Sequence, residues 1–169
     1  MDGRDRDFIQ HIPRLRRYAR ALTGDRARAD DLVQDTCERA LAKFHLWQPD
    51  SDMRAWLFTI MHNVYVNQVR ANRSGMTTAI DDETVMPSMR ATQSDRLELQ
   101  DLQVALSRVP EEQREVLLLV GLEQMTYGEA AGVLGIPIGT VMSRVSRARE
   151  RLRVLLAGGA APSALKVVK

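Results

Sequence analysis

A chain of 169 residues has room for one ordinary domain or two small ones, and 44% hydrophobic against 27% charged residues is the balance of a globular protein with a packed core. It contains no apolar run long enough for a membrane span, its N-terminal segment is charged where a secretory signal would be greasy, and Cys37 is alone, which excludes an intramolecular disulfide and a four-thiolate zinc site. The net charge of +2 hides a segregation: Asp30, Asp31, Asp35 and Glu38 stand together without a base, Arg54, Arg70 and Arg73 lie in a stretch with no acid, and five arginines over 139–153 face Glu150 alone.

Phe8, Ile12, Leu15, Ala19 and Leu22 step by four and three, the period of an amphipathic helix from about Arg6 to Leu22, with a kink or a restart expected at Pro13. Gly24 ends it. Asp25 is the predicted cap of a second helix whose inward positions are Ala29, Leu32, Val33, Thr36, Ala40 and Phe44, with Cys37 as a small core residue and Asp31, Gln34, Asp35 and Glu38 outward. The segment HLWQPDSD reads as a loop that holds Trp47. A third helix buries Met53, Trp56, Leu57, Ile60 and Val64 and turns His62, Asn63, Asn67 and Arg70 mostly outward.

Residues 74–94 follow neither the helical nor the strand period and read as a linker. Beyond it Ser94 is the predicted cap of a helix carrying Leu99, Leu102 and Leu106. Pro110 with Glu111 and Glu112 makes a good start for the next helix, since proline lacks the donor a first turn cannot use and acids favour the positive helix end. Thr126 and Glu129 match a capping box, in which each side chain accepts the other's backbone N–H. Gly135 and Pro137 end that short helix, and a last one runs from about Ile138 to Leu156.

Two helices joined by GIP have the length and chemistry of a helix-turn-helix: small Ala131 permits close approach, Gly135 suits a positive φ, and Val141 fills the angle between them. At 100° per residue, Val141, Val145, Ala148, Leu152 and Leu155 form one stripe, and Thr140, Ser143, Arg147 and Arg151 form the opposite comb. The stripe suits a core. The comb suits a polyanion, with Arg147 placed to fork onto guanine in a major groove and Arg144, Arg149, Arg151 and Arg153 on the flanks for phosphates.

The stretches ADDLVQDTCERALAKF, MRAWLFTIMHNVYVNQVR and VPEEQREVLLLVGLEQMTYGEAAGVLGIPIGTVMSRVSRARERLR, in this order, resemble the extracytoplasmic-function (ECF) class of bacterial sigma factors, covering most of residues 5–156. The resemblance implies an all-α fold of two small helical domains, a region-2-like one over 1–73 and a region-4-like one over 95–156, joined by a flexible linker over 74–94 and followed by a tail over 157–169. It implies that Asp31, Gln34, Asp35 and Leu41 grip core RNA polymerase. It further implies that Trp47 and Gln48 form a pocket for a flipped minus-10 base, while Asn63, Asn67 and Arg70 follow the opened strand. Ser143, Ser146 and Arg147 would face minus-35 bases, with Thr140 and Arg144 on phosphates and Arg151 in the same comb. Met142 departs from the basic residue often seen at its position. An anti-sigma factor is the expected regulator, the cytoplasm the expected location, with nucleoid association in the holoenzyme, and neither cofactor nor metal is implied.

The linker suits a division of labour, because 21 residues at about 3.3 Å each reach ~70 Å, close to two turns of duplex at about 34 Å each. Competing readings are a free-standing helix-turn-helix regulator with a sensor domain, and an adaptor that binds polymerase but no promoter. An enzyme is disfavoured: His11, His45 and His62 lack metal-ligand spacing, and no phosphate-cradling glycine loop or nucleophile elbow occurs.

Overall fold

The computed structural model describes residues 2–74 and 93–158; the linker expected over 74–94 and the tail expected over 157–169 therefore lie almost wholly outside the described residues. Among the described residues there are seven α-helices, one short 3-10 turn at Phe44–Leu46, and no strand.

α1 spans Gly3–Thr23, starting before the sequence pattern does because the Asp5 carboxylate accepts the Asp2 N–H at 3.2 Å, so a polar first turn is capped without apolar period. Pro13 neither ends nor restarts it. Its ring sits on the exposed side, away from the buried stripe of Phe8, Leu15, Tyr18, Ala19 and Leu22. Gly24 closes the helix at φ +69°, the left-handed region that glycine alone occupies without a Cβ penalty. α2, Arg26–Ala42, begins where expected: the Asp25 carboxylate accepts N–H bonds from Ala27 and Arg28. Thr36 is fully buried there and donates its hydroxyl to the Leu32 carbonyl at 2.7 Å, which removes the cost of an unpaired polar group. Phe44 lies past the end of α2, in the 3-10 turn, partly buried against the core.

α3, Met53–Ser74, buries Met53, Leu57, Ile60 and Val64 as the period predicts, but also Phe58, Met61 and Tyr65. Trp56 is only half-buried. The additional buried face exists because α3 has neighbours on two sides: α1 and α2, and a helix of the second module. Tyr18 and Phe58 meet edge to face at 5.1 Å, tying α3 to α1.

The second module comprises α4 (Gln93–Ser107), α5 (Glu111–Gly121), α6 (Tyr127–Leu134) and α7 (Ile138–Leu156). Ser94 falls inside α4 and does not cap it, since helical geometry already begins at Gln93. Pro110 sits one place earlier than expected, as the residue before the first helical one. Thr126 and Glu129 form the reciprocal box, at 3.1 and 3.0 Å, and Gly135 ends α6 at φ +65°. α5 packs on α7 and α6, and α4 packs on α7.

The modules are not separate bodies. α1 packs against α4 and α5, and α3 against α6, so Leu15, Phe58 and Met61 share one apolar core with Val116, Leu119, Val133 and Val141. Fully burying one such side chain is worth about 1.5–3 kcal/mol. Arg114 pins the junction: its guanidinium donates to the carbonyls of Leu106, Ser107 and Val109 within its own module and, at 2.8 Å, to Leu22 of the first.

Candidate nucleic-acid interface

α7 has two opposed faces because its apolar residues recur at three and four. Val141, Val145 and Ala148 are buried against α5 and α6, while Ser143, Ser146, Arg147, Arg149, Arg151 and Arg153 are exposed. Two of the expected contact residues are less free. Thr140 is half-buried and its carbonyl accepts the Ser143 hydroxyl, and Arg144 is half-buried with its guanidinium 3.7 Å from Glu112. Arg153 is held by Glu150 in a two-pronged contact at 2.6 and 3.1 Å, which keeps the Glu150 carboxyl below and the Arg153 guanidinium above their ordinary pKa. Arg147, Arg149 and Arg151 form no ion pair among the described residues. A shallow groove between α6 and α7, lined by Tyr127, Met142, Ser146 and Arg149, adjoins this comb.

In the first module Asp31 and Gln34 are exposed on α2, with Gln34 donating to Glu38 at 3.1 Å. Asp35 is half-buried and accepts from Gln68 of α3 at 2.9 Å. Leu41 is 61% exposed one turn further on, an apolar residue beside an acidic row. Cys37 is half-buried, and burial pushes its thiol up in pKa, opposed by nearby Arg16.

The loop before α3 differs from the expected open pocket. Trp47 is 8% exposed, stacked on Phe44 with centroids 6.0 Å apart, and its indole N–H has no hydrogen-bond partner in the structure. A ring with a buried face cannot also receive a base on that face. Gln48 is exposed and its carbonyl accepts from Ser51. Asn63, Asn67 and Arg70 all lie exposed along one side of α3. His62, expected outward, instead turns toward α5 and contacts Glu115 at 3.0 Å.

Sequence reasoning missed the polar seam between the modules. Glu123 is 3% exposed in the link after α5; its Oε1 lies 3.3 Å from Arg17, its backbone carbonyl accepts from Arg54 at 3.0 Å, and its Oε2 has no partner. Arg54 also reaches Glu129 at 3.4 Å, and Arg73 reaches Glu111 at 3.1 Å. The available signal was the acid-free stretch containing Arg54, His62 and Arg73, whose counter-charges had to come from elsewhere. Among the described residues no group of histidine, cysteine and acidic side chains is arranged to hold a metal, and no helix is long and apolar enough to cross a membrane.

These two modules match, in order, two sigma-factor families: residues 8–62 match the Sigma2 domain of PhyR, and residues 99–152 match Sigma-70, region 4. The pairing defines a sigma-type chain. Over 150 residues it is 40% identical to the ECF RNA polymerase sigma factor EcfG of Rhodopseudomonas palustris, covering 89% of this chain and 83% of that one. The chain belongs to the ECF RNA polymerase sigma factors. Among solved structures it resembles the sigma factor RpoE in complex with the anti-sigma factor NepR from Bartonella quintana (33% identity, TM-score 0.77, 94% and 99% of the two chains). It also resembles CnrH in complex with the cytosolic domain of CnrY (31% identity, TM-score 0.66, 92% and 90%).

Proposed function

We propose that this chain is an alternative sigma subunit that binds core RNA polymerase, directs it to promoters, performs no catalysis of its own, and acts in the cytoplasm under the restraint of an anti-sigma factor. The observation that carries the reading is α7: Val141, Val145 and Ala148 of its apolar stripe are buried in a capped helix-turn-helix while Arg147 and its neighbours remain presented to solvent. On this reading residues 1–73 serve the polymerase and the minus-10 strand, and residues 95–156 serve the minus-35 duplex. Asp31, Gln34, Asp35 and Leu41 form a polymerase patch in which acids border one exposed leucine. Gln48 is the loop residue free to meet a flipped base, with Trp47 supporting the loop from beneath. Asn63, Asn67 and Arg70 lie along the strand. Ser143, Ser146 and Arg147 face bases, and Thr140, Arg144 and Arg151 flank them.

Solved relatives captured with anti-sigma factors support the regulatory half of the reading. The test is reconstitution with bacterial core polymerase on genomic DNA fragments. Promoter-specific transcripts that depend on this chain are expected; none, with intact folded protein, would overturn the reading.

A further inference from the structure

The exposed residues in the first turns of α7, over 138–148, are Ile138, Gly139, Met142, Ser143, Ser146 and Arg147. At about 100° per residue they fan across roughly half of the helix surface in the order Ile138, Met142, Ser146, Gly139, Ser143, Arg147. The middle of this fan is small and its two edges are long. Arg147 stands at one edge; at the other, Ile138 and Met142, one turn apart, are each 52% exposed, an apolar pair on a face that is otherwise small or charged. Packing accounts for neither the apolar edge nor the small middle. Val141, Val145 and Ala148 already supply what α7 buries, and a Cβ placed on Gly139 would meet nothing within 4 Å, so no neighbour in the molecule requires glycine there.

We propose that Met142 is a specificity-determining residue that selects thymine through its C5-methyl group, with Ile138 beside it, in the same major groove in which Arg147 meets guanine. The inference rests on the proposed seating of α7 in promoter duplex and adds to it the identity of one base. Thymine alone among the four bases carries a methyl group on its major-groove edge, so an apolar side chain selects it by the area it buries, without a hydrogen bond. Ser146, Gly139 and Ser143 let the helix axis lie close to the base edges, which brings the unbranched, adaptable Met142 side chain within reach of that methyl. Arg149, exposed two turns on at nearly the same angle, lines the α7 groove together with Met142 and Tyr127, where the phosphate wall on this edge would run. Met142 and Arg147 stand about 7.5 Å apart along the axis, so the thymine lies about two or three base pairs from the guanine at about 3.4 Å per step.

The experiment selects duplexes for the full chain from a randomised pool, then remakes the preferred duplex with deoxyuridine in place of each thymine in turn, which removes the methyl group and nothing else. At one thymine the parent should lose about fourfold in affinity, the ratio that one buried apolar carbon corresponds to, while Met142→Ala should bind the two duplexes equally. Met142→Leu, which keeps an apolar contact, should retain the discrimination, and Met142→Arg should move the preference at that position to guanine. A methyl contact displaces no counterion, so Met142→Ala should leave the slope of log affinity against log salt unchanged, whereas Arg149→Ala should lower it by about 0.9. Circular dichroism checks the fold of each variant. A pool with no preferred duplex, uracil tolerated at every thymine, or a thymine preference that survives Met142→Ala overturns the proposal. Methyl discrimination without core-dependent transcription would sink the sigma reading alone, and core-dependent transcription without methyl discrimination would sink the role of Met142 alone.

Discussion

Arg147 and Arg153 have the same chemistry and different surroundings. Arg147 is unpaired and exposed on the comb, whereas Arg153 is chelated by Glu150 a turn further on. Arg147→Ala should cost about 1–3 kcal/mol on the preferred minus-35 duplex and relax selection at one base position, measured by titration against single-base variants. Arg153→Ala should weaken all duplexes alike and only slightly, since it must first leave Glu150. Tyr65 permits a test of burial. Desolvation, reinforced by Glu111, pushes its phenol up to about 12, while an unfolded tyrosine titrates near 10. The folded state therefore holds this proton more tightly, so the stabilisation is whole below pH ~10 and is lost as pH rises toward about 12. Tyr65→Phe should flatten the fall of stability over that window in chemical denaturation. Such residue-level detail was partly legible: Thr36, Ala40 and Val141 follow directly from helical period, but the burial of Glu115 and Glu123 does not, because nothing local tells a carboxylate that its base lies on another module.

Elements were most legible where local chemistry closes on itself. Asp25, Thr126, Gly24 and Gly135 mark their helix ends because caps and left-handed residues act within three or four positions. Thr126→Ala should lower the unfolding free energy by about 1 kcal/mol, read from denaturant midpoints at unchanged slope. α3 was legible on one side only. A single-stripe reading assigns its core face to Leu57, Ile60 and Val64, and the second buried face of Phe58, Met61 and Tyr65 becomes intelligible only once partners on both sides are known. Pro13 is the converse case, a breaker tolerated because the exposed side of α1 carries it.

At the scale of the whole molecule, the expectation of two modules on a tether meets a body with one continuous core. Sequence period describes what each helix must bury and is silent on which neighbour buries it. Gly24 shows how close the fit is: a Cβ placed there would come 3.1 Å from the Gln103 side-chain nitrogen across the junction. Arg114→Ala should therefore destabilise both halves together, by about 3 kcal/mol or more, because it removes a charged donor from four carbonyls at once. Thermal unfolding should remain a single transition in the parent protein and split or broaden in this variant, as calorimetry would read it.

The placement of the indoles gives the molecule a built-in optical asymmetry. Trp47 lies against Phe44 at the base of its loop, Trp56 sits 6.3 Å from the same ring, and the chain has no other tryptophan. Emission excited at the indole band therefore describes the first module, and Tyr127→Trp, beside the α7 groove, would give the second module a voice of its own.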